Sequence, residues 1–94
     1  MNKINITPDE FKKVIESHFY SKHMVAELYS TMVGSSGGII HNVRFDGAFN
    51  SIRLDIEVSF NGSHEPVISG FRGICPINEL ATILNELNIA IQSI

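Results

Sequence analysis

The residues of this chain best suited to making and breaking bonds are one thiol and four imidazoles. Cys75 closes the stretch Gly70-Phe71-Arg72-Gly73-Ile74-Cys75-Pro76, which reads as a strand running into the start of a helix with a guanidinium close by. A thiol just before a helix N-terminus can have its pKa lowered, and an imidazole within reach then serves as its base. His41 is the nearest inward-pointing base in the strand phase derived below. Cys75 and His41 are therefore the candidate catalytic pair, for a Cys–His hydrolase or a redox site, and Arg72 makes the same segment the better of two anion sites. Three things weigh against it: no third residue is evident to orient the imidazole, no second Cys resolves a disulfide, and 94 residues leave little room for a cleft. The favoured reading of Cys75 is a small, semi-buried apolar residue at a turn.

The remaining reactive groups point to less. His18 and His23 lie five apart on what reads as one helix, about 140° around its axis, so they cannot chelate one ion together. His41 and His64 fall at opposite ends of the expected sheet, and no HxxxH or CxxC occurs. Neither a metal nor a cofactor is implied. Gly34-Ser35-Ser36-Gly37-Gly38 invites a phosphate-cradle reading, but such a loop enters a helix N-terminus, whereas this one leaves a helix for a strand. Asp9 and Glu10 belong to a helix cap, and Asp55 and Glu57 to the polar face of a strand.

The elements that must position these groups are read from periodicity. Thr7-Pro8-Asp9-Glu10 combines an N-cap hydroxyl, a proline at the first helical position and a capping-box glutamate, with Ile6 and Phe11 as hydrophobic staple. From Phe11 through Val14, Ile15, Phe19, Met24, Val25, Leu28, Tyr29 and Met32 the apolar spacing stays roughly helical to the Gly34 stop signal. Unbroken from Pro8 to Val33 this helix would be about 39 Å long, against a domain roughly 32 Å across, so a bend or split near Ser21 is expected.

Beyond the glycine loop the period becomes two: Ile52, Leu54, Ile56, Val58 and Phe60 alternate with Arg53, Asp55, Glu57 and Ser59. Asp46-Gly47 and Asn61-Gly62 are hairpin signals on either side, giving a three-stranded antiparallel meander. With two-residue turns, Phe45 faces Ala48, Phe60 faces Ser63, and His41, Ile52 and Phe71 form one inward layer. A longer first loop is the alternative, because the simple register turns Asn50 toward the core. The second turn puts Glu65 beside Val58.

From Pro76 the apolar residues cover more than half of one helix. That is more than one sheet face buries, so Ile83, Leu87, Ile91 and Ile94 are candidates for a homodimer seam. The fold expected is α+β over residues 1–94 as a single domain: helical segment, three strands, helix, with both helices on one face of the sheet. This order resembles that of the double-stranded-RNA-binding domain, but that family's last helix carries lysines and residues 73–94 here contain no Lys, Arg or His. It also resembles the first part of small acidic secretion chaperones, which would add a further strand and helix.

Composition narrows the function classes. Seven Lys and Arg against ten Asp and Glu give a net charge of −3, too acidic for a partner held mainly through phosphates. Lys12, Lys13 and Lys22 could make a basic helix face, but acidic residues interrupt it. One Cys and no long apolar stretch suit a cytoplasmic protein without a membrane span. Arg44, Arg53 and Arg72 fall together on the outward sheet face with Ile40 and Ile68 beside them. A mixed-charge face is usually just solvated; its functional reading is a protein-docking surface. The expected function is a small, non-enzymatic protein-binding module of the inhibitor, immunity or phage counter-defence type, acting by occluding a partner. A secretion chaperone, a small enzyme or anion-binding domain at Cys75, and a nucleic-acid binder are the alternatives.

Overall fold

The computed structural model describes residues 6–34, 38–47, 52–60 and 66–94. Helix α1 (Pro8–Tyr20) is followed by strands β1 (Val25–Val33), β2 (Ile39–Gly47), β3 (Ile52–Phe60) and β4 (Val67–Ile74) and by helix α2 (Ile77–Gln92). The strands form one antiparallel sheet in sequence order. The α+β class stands, with four strands where three were expected.

The helical start forms as its residues dictate. Glu10 N–H donates to the Thr7 hydroxyl and the Glu10 carboxylate reaches back to the Thr7 backbone, completing the capping box. The end of α1 corrects the reading of a helix to Val33. His23 takes a left-handed conformation (φ 61°), His23 N–H donates to Tyr20 O and Met24 N–H to Phe19 O. These are the two hydrogen bonds of a Schellman motif, which stops a helix and usually uses glycine at the left-handed position. Residues 25–33 then extend as a strand. Their helix-like apolar spacing is drawn from both faces of β1: Ala26 and Leu28 lie on the helix side, paired with Phe45 and Val43, while Val25 and Met32 lie opposite, paired with Asp46 and Ile40. A bulge between Leu28 and Ser30 inserts Tyr29.

Both hairpin registers also differ from the two-residue expectation. Gly47 is part of β2 and pairs with Ile52, so the first connection is the longer one, and Phe71 pairs with Ile56 rather than with Ile52. The first offset is even, and so is the second from Gly70 onward, so those residues keep their faces although the inward layer His41–Ile52–Phe71 does not form; Val67 and Ile68, before the bulge in β4, change face. Ala48, Asn50, Ser63, His64 and Glu65 lie outside the described residues, as do Asn61 and Gly62. The glycine loop joins two strands rather than a helix to a strand, with Gly34 N–H donating to Gly38 O at 2.6 Å.

Both helices pack on one face. Phe11, Ile15 and Phe19 of α1 and Ile83, Leu87, Ala90 and Ile91 of α2 share a single core with Val43, Phe45, Ile52, Leu54, Ile56, Val58 and Phe60 of the sheet. Phe19 meets Phe45 edge-on, and Phe11 lies flat against His41 with ring centroids 4.2 Å apart. The helices are joined at their polar rim by His18 Nε2 and Glu86 Oε1 at 2.8 Å, a contact that holds the Glu86 carboxyl below its usual range. The residues expected at a dimer seam are thus used within the chain: Ile83, Leu87 and Ile91 are buried and Ile94 packs against them. The apolar surplus of α2 is taken up by α1 as well as by the sheet.

Candidate protein-docking face

With both helices on one side, the opposite sheet face is left without a covering element among the described residues. The alternation of β2 and β3 places Arg44 and Arg53 there, and the ladder between β3 and β4 places Arg72 opposite Asp55 on the same face. Arg44 Nε donates to Asp55 Oδ1 at 3.1 Å, which raises the guanidinium pKa further, and its Cζ lies 4.6 Å from the centre of the Tyr29 ring. Arg53 and Arg72 are exposed and have no ion pair among the described residues. Ile40 lies on this face between Met32 and Ser59.

Ile68 does not. The bulge in β4 beside Glu57 and Val58 inserts Ser69, so Ile68 pairs with Val58 on the helix side and faces Leu80 and Leu84. The inserted residue breaks the alternation between Gly70 and Ile68, so Val67 and Ile68 lie on the faces opposite to those that unbroken alternation back from Phe71 gives them. Val67 and Ile74 take up the apolar share of the outward face at β4 instead.

Two shallow grooves cross the face, sharing Asp55. One of about 480 Å³ runs between Glu27, Arg44, Asp46 and Arg53; the other, of about 320 Å³, lies between Tyr29, Glu57, Gly70 and Arg72. Carboxylates and guanidiniums therefore alternate along both. Tyr29, Met32 and Val25 belong to this surface and were hidden by the helical reading of residues 25–33. The signal that could have found them is the run of β-branched and aromatic residues Val25, Tyr29, Thr31 and Val33.

The groups expected to do covalent chemistry are not brought together. His41 pairs with Val58, whereas Cys75 follows Ile74, which pairs with Arg53. Five residues of β3 separate those positions, about 17 Å. His41 is fully buried, with Nδ1 3.0 Å from the Thr31 hydroxyl and Nε2 without a hydrogen-bond partner among the described residues. The Cys75 thiol contacts Pro76 O at 3.5 Å, and burial, with Glu79 adding to it, pushes its pKa up rather than down. A neutral thiol is a poor nucleophile. Among the described residues no three His, Cys, Asp or Glu side chains converge as metal ligands, and no helix is long and apolar enough to cross a membrane.

No family model, no curated protein and no solved structure matches the chain.

Proposed function

We propose that the chain is a non-enzymatic protein-binding module that docks a partner protein on its outward sheet face and acts by occluding it, as inhibitors, immunity proteins and phage counter-defence proteins do. The observation that carries this reading is the segregation of both helices to one face, which leaves the arginine-bearing face without a covering element among the described residues. Arginine and tyrosine are among the residues enriched at binding hot spots, and here Arg44 and Tyr29 are stacked on one another. The partner is a protein surface that offers carboxylates to Arg53 and an apolar patch to Tyr29, Met32 and Ile40. Nucleic acid fits poorly, since Glu27, Asp46, Asp55 and Glu57 stand between the guanidiniums and would meet every phosphate contact with repulsion.

The test is affinity capture from a host lysate with the full chain as bait, followed by titration of the captured protein against variants. Arg53→Glu should weaken binding about tenfold or more. Lys13→Glu, exposed on α1 at the other side of the molecule, should leave it unchanged. A partner lost with Lys13→Glu and kept with Arg53→Glu would move the docking surface to the helices.

A further inference from the structure

The two edges of the sheet are not alike. At the β1 edge the Leu28 N–H is already taken: it donates to Glu16 Oε2 at 3.1 Å, and that carboxylate is held by Lys12 Nζ at 2.7 Å. A charged side chain lying on an edge is one of the ways proteins prevent strand addition. The β4 edge has no such guard. Among the described residues no backbone hydrogen bond reaches β4 from outside the sheet. Its side chains suit burial: Phe71 is 63 % exposed and Ile74 71 %, and Ile77 at the start of α2 is 89 % exposed. On the helix side, Ile68 and Phe71 line a groove of about 440 Å³ with Leu80 and Leu84.

We propose that β4 pairs antiparallel with β4 of a second copy of this chain, joining two four-stranded sheets into one of eight strands across a two-fold axis at Phe71. Self-complementarity in charge argues for a second copy rather than another protein. In this pairing Arg72 of one copy falls opposite Gly70 of the other, on the outward face. Gly70 has no side chain, and Glu57 from the neighbouring strand leans into the space: its Oε2 lies 3.1 Å from where a Cβ on Gly70 would stand. The guanidinium thus crosses the glycine to a carboxylate whose one side-chain partner among the described residues of its own chain is the Ser69 hydroxyl at 3.4 Å. The two-fold axis makes the contact twice. On the helix side the two Phe71 rings meet as a cross-strand aromatic pair and cover the apolar groove. Because β1 is guarded, the pairing closes at two copies instead of continuing edge to edge.

Sedimentation velocity on the full chain over a concentration series tests this, with circular dichroism melts to establish that each variant is folded. The wild type should reach dimer. Arg72→Glu and Glu57→Arg each set like charges against one another and should each weaken self-association about tenfold or more. An equimolar mixture of these two variants should recover the dimer, since every seam contact then joins opposite charges. A wild type that stays monomeric at all concentrations overturns the proposal, as do single variants that dimerise like the wild type or a mixture of folded variants that does not associate. Arg53→Glu lies away from this seam and should leave the dimer intact, so loss of docking and loss of pairing are separable.

Discussion

At the scale of single residues the most consequential group is His41. Its ring is packed between Phe11 and Phe60, and the Thr31 hydroxyl is its one side-chain hydrogen-bond partner among the described residues. Burial pushes the imidazole pKa below its ordinary 6.5, with the Ile6 backbone only partly opposing. The native state therefore binds fewer protons than the unfolded chain once the pH drops through that value. It follows that His41 leaves stability untouched above about pH 6.5 and lowers it progressively as the pH falls further, until the folded-state value is passed. Urea unfolding at a series of pH values should show this decline, and His41→Phe should flatten it between about pH 6.5 and 5. An equal slope in both proteins would assign the acid sensitivity to the carboxylates. That His41 points inward was legible from the alternation along β2. That it serves packing rather than chemistry was not, because sequence spacing gives the face of a residue and not the register between strands, which sets His41 and Cys75 about 17 Å apart along the strand direction.

Among the elements, β3 was fully legible, since nine residues of strict alternation admit only one reading. Residues 25–33 were not, because their apolar positions, divided between two faces and a bulge, imitate a helical period, and because the helix stop at His23 lacks the glycine by which such stops are recognised. The β4 bulge was equally hidden, and it alone accounts for the misplacement of Ile68. Gly73 shows what holds the β4–α2 junction. It adopts φ 134°, and a Cβ added there would overlap the Arg53 carbonyl oxygen and sit 2.9 Å from its carbonyl carbon. Gly73→Ala should cost about 1–3 kcal/mol from backbone strain alone, with the steric overlap in addition. Denaturant unfolding measures it, and a loss below about 0.5 kcal/mol, ordinary for a surface change, would mean that the strands need not approach so closely.

For the molecule as a whole, the composition already required that some apolar surface stay outside one small core, but which surface depended on tertiary packing. The last helix is apolar over most of its circumference, and the sequence left it open to a second chain; in the structure α1 and the sheet together enclose Ile83, Leu87 and Ile91, and the exposed apolar side chains fall mainly on the two edge strands, β1 and β4. Ile91→Glu discriminates these arrangements. It buries an unpaired carboxylate, at a cost of several kcal/mol that rivals the ~5–15 kcal/mol by which small domains are stable. The expected outcome is a chain without a cooperative thermal transition; a folded chain of altered oligomeric state would return the seam to α2. The Tyr29–Arg44 stack has an optical consequence. The chain contains no tryptophan and two tyrosines, of which Tyr20 is 82 % exposed at the end of α1. Replacing Tyr20 by phenylalanine leaves one tyrosine, seated against a guanidinium on the outward face, so that any ligand without tyrosine or tryptophan that displaces Arg44 reports its own arrival in the emission of Tyr29, with no label attached.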